Sequence, residues 1–358
     1  MDRVRIGLVG AGLIGGAHSA VLRTIADAMP EQVELSAVAD PLARSRELFT
    51  SLYGYRHAFA DARALLDRAD VDAVFVCTPT AFHAEVVHAA AAAGKHLFCE
   101  KPLAMSHAEA QEMLAAVQRA GVRTQIGLVL RFSAVYTVMR ELLRTSEAGA
   151  PTAVVFRDDQ VFPIRGVHHT AWRKNRTLTA GGTLIEHGVH DLDLLTWFFG
   201  PIARLRAWQQ NRAGHPGIED YAAVELEFAG GLRAQLVNLW HDMIQRPSNR
   251  RLEIFCQRGF FASDHDMLGD LLVQLGDGDE RRLGPREVLE RFEALLGRTD
   301  TRFRDWYGVP YLLQDLEFVE ALLAGRAPAP GLDVGVEAQR IAQAVYTAAA
   351  TGEEVTVG

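Results

Sequence analysis

The sequence predicts an α/β protein in which a doubly wound parallel sheet is followed by an α+β domain with a largely antiparallel open sheet. Short apolar runs alternate with helical patterns up to about Arg131, which is typical of a parallel sheet. Beyond it, alternating runs come in pairs separated by turns such as Gly230-Gly231, which indicates hairpins. A chain of 358 residues is also long for one core. We therefore expect two domains, 1–128 and 129–358, with the C-terminal helices able to pack back on the first.

In the first domain, apolar runs rich in β-branched residues predict the strands, and helical patterns lie between them. Asp61 is the predicted N-cap of the third helix and Gly94 the predicted C-cap of the fourth. The predicted strands are 4–9, 33–39, 58–59, 73–77, 96–99 and 124–128, and the predicted helices run to Met29, over 41–52, from Asp61, over 81–93 and over 106–120.

The second domain is predicted from alternating runs and three helical patterns. Residues 276–308 are charged and contain glycines, so we expect a surface excursion there. The predicted strands are 152–161, 203–210, 220–229, 232–240 and 251–256, and the predicted helices are 183–199, 309–324 and 333–350.

Composition excludes several classes of protein. A formal net charge of -8 argues against nucleic acid or an anionic membrane as the main partner. Cys77, Cys99 and Cys256 lie far apart without metal-ligand spacing, which favours reduced thiols. The longest apolar tract, Val86 to Ala93, is too short to span a bilayer, and a strand that begins almost at Met1 leaves no room for a signal peptide. We expect a cytoplasmic protein.

A glycine-rich loop follows the first strand and opens the first helix. In Gly10-x-Gly12-x-x-Gly15, the first glycine permits a tight turn, the second lets the backbone approach a pyrophosphate, and the third allows close helix–strand packing. The helix N-terminus, which includes Leu13 and Ile14, offers N–H groups to phosphate. The context predicts a Rossmann dinucleotide-binding domain.

Asp40 ends the second strand, near the separation from Gly15 that this fingerprint expects. A carboxylate there accepts hydrogen bonds from ribose hydroxyls and repels a 2′-phosphate, so NAD is the preferred cofactor. Arg44, one turn further on, could stack on adenine and keeps NADP possible. Asp40 could also cap the helix that follows Pro41, and the two roles can coexist.

Glu100-Lys101-Pro102 stops the apolar strand 96–99. A charged pair at the end of a buried strand has no packing rationale, whereas ligands of open α/β sheets bind at the carboxyl ends of strands. Pro102 stiffens the turn. A plain surface turn is the alternative. We expect Lys101 to meet the cofactor, with Glu100 supporting it.

Glu186, His190 and Asp193 share one face of the predicted helix 183–199. A solvated stripe is the alternative, but the apolar run 194–199 favours a buried helix whose polar stripe lines a cavity. The pair His187-x-x-His190 spans a glycine at poor zinc spacing with no third ligand, so no metal is predicted.

At these residues the chain resembles the glucose–fructose oxidoreductase/inositol dehydrogenase (Gfo/Idh/MocA) family over nearly its whole length. The resemblance implies a catalytic lysine at Lys101, a catalytic histidine at His190, and an acid at Glu186 where relatives usually have Asp. It also implies a second-domain sheet through which the chain forms a homodimer or homotetramer. The matching motifs are the glycine loop, Thr78-Pro79 with His83, Glu100-Lys101-Pro102, and the Gly181-Gly182 helix ending in His190-x-x-Asp193, and the first three supply the predicted cofactor contacts.

The chain departs from the family pattern at three places. Ala180 replaces a third glycine, Arg131-Phe132 lacks a following proline, and Glu186 is longer than Asp by one methylene. A carboxylate displaced by more than about an ångström can hold a different hydroxyl. These departures leave the substrate open.

The predicted reaction is hydride transfer between NAD(P) and a secondary alcohol or ketone of a sugar, cyclitol or related polyol. His190 is suited to act as general base, since histidine titrates near neutrality. Lys101 would stabilise the developing alkoxide, while Glu186 or Asp193 would orient the imidazole or bind a neighbouring hydroxyl. The alternatives are a glycoside hydrolase that uses NAD for transient oxidation, and a non-catalytic dinucleotide sensor.

Further candidates for substrate contacts lie in the early loops of the second domain. Their basic and aromatic side chains could bind sugar hydroxyls or form an aromatic platform, although plain surface or core roles are equally compatible with the sequence. These residues are Arg131, Trp172, Arg173, His168 and His169.

Overall fold

A computed structural model describes residues 1–144, 147–166, 170–298 and 301–357. The chain divides into two compact units. The first comprises Met1–Leu128, Thr177–Ala180 and Tyr311–Gln339, and the second comprises Val129–Arg176, Gly181–Pro310 and Arg340–Gly358.

The first unit contains a six-stranded sheet in which every neighbouring pair is parallel. The strand order is β3-β2-β1-β4-β5-β6, so the order reverses between β1 and β4 and creates the crevice in which such sheets bind ligands. The predicted doubly wound parallel sheet is confirmed. The strands are β1 (Val4–Val9), β2 (Val33–Ala39), β3 (His57–Phe59), β4 (Ala73–Val76), β5 (His96–Cys99) and β6 (Thr124–Ile126).

Helices cover this sheet, and its central strand β4 is apolar and fully buried, as expected for a sheet buried on both faces. The rings of Phe75 on β4 and Phe98 on β5 stack with centroids 4.6 Å apart, and Phe318 meets both of them edge-on. The helices of residues 1–128 are α1 (Leu13–Ala28), α2 (Ala43–Tyr53), α3 (Ala62–Leu66), α4 (His83–Ala92) and α5 (His107–Ala120).

The second unit contains a nine-stranded sheet, which is antiparallel except for the parallel pair β7–β10. This confirms the mostly antiparallel second sheet. The strands, in the order β14-β13-β12-β11-β7-β10-β9-β8-β15, are β7 (Pro151–Val161), β8 (Ile202–Gln210), β9 (Tyr221–Phe228), β10 (Arg233–His241), β11 (Asn249–Cys256), β12 (Gly259–Ser263), β13 (Leu271–Leu275), β14 (Arg281–Leu283) and β15 (Val355–Thr356).

Along these strands, buried residues alternate with more exposed ones, so one face of the sheet is covered and the other is largely solvated. A π-helical turn at Leu184–Gly188 leads directly into α7. The remaining helices are α6 (Ala134–Leu143), α7 (Val189–Phe199), α8 (Pro285–Leu296), α9 (Pro310–Leu323) and α10 (Leu332–Thr351). Among the described residues, no helix is long and apolar enough to cross a membrane.

Two expectations were wrong, and four strands were missed. The predicted continuous helix over 183–199 begins as the π-turn, which the side-chain pattern does not distinguish from an α-helix. Strands β12 to β15 were not predicted, because each has only two to five residues and little alternation. Residues 276–308 do not form a mere surface excursion: they contain β14 and the amphipathic helix α8, whose Val288 and Phe292 are fully buried.

Candidate active site

The three glycines of the loop after β1 are required for different reasons. Gly10 has φ 101°, and a Cβ on it would lie 2.6 Å from the carbonyl of Cys77. A Cβ on Gly15 would lie 2.2 Å from the carbonyl oxygen of Gly10. A Cβ on exposed Gly12 would meet no protein atom within 4 Å. Packing therefore requires the first and third glycines, whereas the space beside Gly12 fits an approaching ligand.

Helix α1 begins directly after this space. Its N-cap, Gly12, has no side chain to accept from the first amides, and its first turn carries no acidic residue. The N–H groups and the positive end of the helix dipole are thus suited to a pyrophosphate. These residues fit a dinucleotide, with Leu13 and Ile14 in the first turn.

Asp40, at the end of β2, holds the glycine loop from the side. Its Oδ2 accepts from the amide of Ala11 at 2.9 Å, and its Oδ1 accepts from the amide of Leu42 at 2.9 Å. Leu42, rather than Asp40, is the N-cap of α2. Arg44 is exposed on the first turn of α2. The ribose role of Asp40 and the adenine role of Arg44 stay predictions.

His83 joins the end of β4 to the turn after β5. The ring is almost completely buried, with Nδ1 2.9 Å from the carbonyl oxygen of Pro102 and Nε2 2.9 Å from that of Thr78. Burial lowers the pKa of His83. The predicted cofactor residues Thr78 and Pro79 and the Glu-Lys-Pro turn are therefore held at one edge of the sheet, where β4 and β5 both end.

Lys101 follows β5 and is half-buried, and its backbone amide donates to Glu100 Oε2 at 3.1 Å. Glu100 itself is buried and faces His18 of α1, whose Nε2 lies 3.0 Å from Glu100 Oε1. His18 Nδ1 lies 2.9 Å from an oxygen of Asp315. Burial alone would lower the pKa of His18, but the two carboxylates raise it to about 10. Neither His18 nor Asp315 was predicted.

In the second unit, two arginines pair with the two acids predicted to serve His190. Arg131 binds Asp193 through two contacts of 2.9 and 2.7 Å, and Arg173 Nε donates to Glu186 Oε2 at 2.9 Å. Burial raises the pKa of Asp193, and Arg131 opposes that shift. His190 lies between these acids in the chain and is only 7% exposed.

Trp172 lies beside the Arg173–Glu186 pair. The Arg173 guanidinium lies 4.8 Å from the centre of the half-buried Trp172 ring, a cation–π arrangement. The loop thus offers an aromatic face next to charged hydrogen-bonding groups. His168 and His169 lie outside the described residues.

The π-turn that precedes α7 is fixed by Glu219, which was not predicted. Glu219 accepts from the amides of Gly182 and Leu184 at 2.8 and 3.0 Å, and Tyr346 donates its hydroxyl hydrogen to the same carboxylate at 2.9 Å. A Cβ on Gly182 would lie 1.8 Å from the carbonyl oxygen of Glu219. The glycine pair at 181–182 therefore permits close backbone contact.

A buried charge cluster lies against the other side of α7. Arg250 of β11 binds Asp191 at 2.9 Å, Asp158 at 3.1 Å and Asp266 at 2.8 Å. Asn238 donates to the second oxygen of Asp191 at 2.6 Å. Arg250 was not predicted. It alternates along β11 with Leu252 and Ile254, so the sequence pattern does place it on the buried face of that strand.

His187, the other histidine of the predicted helix 183–199, has a different environment. The indole N–H of Trp240 donates to His187 Nδ1 at 2.7 Å. No group of three or more histidine, cysteine or acidic side chains in the described ranges could hold a metal ion.

Two family models and several relatives match this chain. The model of a family described as "Oxidoreductase family, NAD-binding Rossmann fold" matches residues 4–128, and that of the "GFO/IDH/MocA C-terminal domain" matches residues 136–262. The chain is 28% identical to myo-inositol 2-dehydrogenase from Thermotoga maritima, over 91% of the chain and 90% of the relative. It is 26% identical to inositol 2-dehydrogenase from Rhizobium meliloti, over 99% of both.

A solved structure has the same fold along the whole chain. The crystal structure of an oxidoreductase domain protein from Kribbella flavida superposes with a TM-score of 0.85 at 26% identity and covers 100% of both chains.

Proposed function

Because the chain belongs to the Gfo/Idh/MocA family of NAD-binding oxidoreductases, we propose that it is a dehydrogenase or reductase of a sugar, cyclitol or related polyol. The observation that carries the proposal is the position of Lys101, half-buried at the carboxyl end of β5 in a parallel sheet whose glycine loop fits a dinucleotide. The relatives named above as inositol dehydrogenases support a cyclitol-like substrate.

Bound NAD supplies the hydride acceptor or donor at its nicotinamide ring. Lys101, as an ammonium group, donates a hydrogen bond to the substrate oxygen and stabilises negative charge that develops on it. His190 accepts the hydroxyl proton during oxidation and returns it during reduction. Glu186, fixed by Arg173, orients the imidazole or binds a neighbouring hydroxyl.

The substrate class follows from the polar groups of the second unit. Asp193 with Arg131 and Glu186 with Arg173 present charged hydrogen-bonding groups in fixed geometry. Such groups suit a ligand with several hydroxyls, because hydrogen bonds to charged groups are the stronger ones. The Trp172 ring offers an apolar face for the C–H side of a ring-shaped polyol.

The first experiment is a difference-absorbance screen of cyclitols, sugars and sugar nucleotides with NAD and NADP separately. With the best substrate, Lys101→Ala and His190→Asn should each lower kcat by about 10²- to 10⁴-fold, the usual contribution of a positioned acid or base. NADH binding, followed by fluorescence, should persist in both. Lys95, a half-buried lysine just before β5, provides the matched control, and Lys95→Ala should retain turnover. Full turnover by Lys101→Ala would remove that residue from the mechanism.

The same assay separates the two alternatives. A hydrolase that uses transient oxidation would release product with no net change in NADH absorbance. A dinucleotide sensor would bind NADH and turn over nothing in the screen.

We propose in addition that two or four copies associate through the solvated face of the nine-stranded sheet. Val155, Trp208 and Phe255 expose large apolar side chains on β7, β8 and β11, all on the side opposite the buried residues of those strands. Exposed apolar groups on one sheet face favour burial against a partner. Light scattering coupled to gel filtration should give two or four times 39.3 kDa, and Trp208→Glu should reduce it.

A further inference from the structure

A buried ionic triad lies behind the Glu-Lys-Pro turn in the first unit. His18 is 0% exposed and its two ring nitrogens lie 3.0 Å from Glu100 Oε1 and 2.9 Å from Asp315 Oδ2. The three residues come from α1, from the end of β5 and from α9. Helix α1 is the helix that the glycine loop opens, and His18 is one turn beyond Gly15.

The geometry requires a particular protonation state. Where both acids are ionised, each accepts a hydrogen bond, so both ring nitrogens donate, and only the imidazolium has two N–H groups. Burial raises the pKa of Asp315, and the charge of His18 opposes that shift. The raised pKa of His18, about 10, agrees with this requirement. His18 is therefore positively charged at neutral pH.

Glu100 connects His18 to the Glu-Lys-Pro turn through its two carboxylate oxygens. One of its oxygens faces His18, and the other accepts from the backbone amide of Lys101 at 3.1 Å. The carboxylate is also confined by Gly127, since a Cβ there would lie 2.5 Å from Glu100 Oε1. Three neighbours thus fix one carboxylate, and that carboxylate fixes the backbone of Lys101.

We infer that His18 is a positioning residue for Lys101, acting through Glu100 to hold the turn in the orientation that turnover requires. The inference rests on the proposed role of Lys101. His18, three residues after Gly15, therefore has a positioning role in addition to its place in the packing of α1. Asp315 holds the imidazolium from the other side and so takes part indirectly.

The test compares three changes in one background. His18→Gln removes the charge, Glu100→Gln removes the carboxylate, and Gly127→Ala pushes the carboxylate away while leaving every charge in place. Each should lower kcat at pH 7 at least tenfold, with NADH affinity changed by less than threefold. Gly230→Ala is the matched control, because a Cβ there meets nothing within 4 Å, and it should leave kcat unchanged.

The pH profile separates positioning from a loss of packing. In His18→Gln, burial is no longer opposed by the imidazolium, so the pKa of Glu100 rises above its value in the native protein. A proton held by Glu100 at lower pH is lost as pH rises, so the ratio of the variant's kcat to that of the native enzyme should increase with pH. Glu100→Gln and the double variant have no such group and should show no recovery. The titratable groups that face Glu100 or Asp315 are His18, Lys101, His83, Cys77, Cys99 and Tyr55.

The outcomes distinguish this inference from the proposed function. If Lys101→Ala keeps full turnover, the proposed function is wrong about Lys101. If Lys101→Ala is inactive but folded His18→Gln and Gly127→Ala both turn over at the native rate, the inference is overturned. A pH-independent loss in His18→Gln equal to that of the double variant would also overturn it, since such a loss would reflect packing alone. If His18→Gln does not fold, the rate of Gly127→Ala decides.

Discussion

Replacing Arg250 by methionine tests whether the buried charge cluster behind α7 stabilises the second unit. Arg250 binds three carboxylates at 2.8 to 3.1 Å, and two of them, Asp158 and Asp191, are almost completely buried. Removing one partner of a buried ion pair leaves an uncompensated charge, which costs about 3–5 kcal/mol. We expect a loss of that size in the free energy of unfolding near pH 8.

The loss should depend on pH in a definite direction. Burial raises the pKa of Asp158 and of Asp191, and Arg250 opposes both shifts. Without Arg250 these pKa values rise further above those of the unfolded chain, so the folded variant binds more protons and its stability falls as pH increases. As pH falls the carboxyls take up protons, and the loss should shrink toward about 1–2 kcal/mol of hydrogen bonding.

Urea unfolding followed by tryptophan fluorescence measures this effect in the relevant unit, because all five tryptophans lie within Val129–Arg176 and Gly181–Pro310. Arg286→Met is the control, because Arg286 of α8 is almost fully exposed and pairs with Glu290 one turn further along the helix, where such pairs contribute about 0–1 kcal/mol. If Arg250→Met costs no more than Arg286→Met, or if its cost is the same at pH 5 and pH 8, the reasoning is refuted.

Three further predictions concern the cofactor and substrate sites. Asp40→Ala should improve the use of NADP and also raise KM for NAD about tenfold, since the amide of Ala11 loses its acceptor; unchanged NADP kinetics would show that Asp40 does not set the preference. Gly15→Ala places a Cβ 2.2 Å from the carbonyl oxygen of Gly10 and should weaken NADH binding at least tenfold in a fluorescence titration, or prevent folding; native affinity would contradict the close packing. Asp193→Ala should raise KM for the polyol about tenfold and leave the Kd for NADH unchanged, and a raised Kd would argue against a role confined to substrate.

The elements predicted most accurately are those whose own residues form a recognisable pattern. The ranges 4–9, 33–39 and 96–99 coincide with β1, β2 and β5, because each is a mostly apolar segment bounded by glycine, aspartate or a charged turn. Strands buried on both faces leave this pattern in any sequence. The short strands β12 to β14 leave no such pattern, since their pairing depends on neighbours already in the sheet.

Contacts between distant segments account for the features that were missed. The π-turn at Leu184–Gly188 packs against Asn238, whose amide would lie 2.5 Å from a Cβ on Gly188, and nothing near Gly188 in the sequence indicates that neighbour. His18 lies on an ordinary amphipathic helix, and its partner Asp315 is 297 residues away. Local patterns cannot reveal the charge state of such a residue, because that state is set by burial and by partners from other elements.

The two residues proposed to move or stabilise the proton are supported in the same way. Lys101 follows Glu100 in the chain, and Glu100 is buried against the cation His18; His190 precedes Asp191, and Asp191 is buried against the cation Arg250. In each case the reacting side chain is one residue away from an acid that cannot move without leaving a buried charge unpaired, which is energetically costly. The chain beside each proposed reacting residue is therefore anchored by a buried ionic contact. An acid next in sequence to a reactive residue is accordingly better interpreted first as its anchor than as a second catalyst.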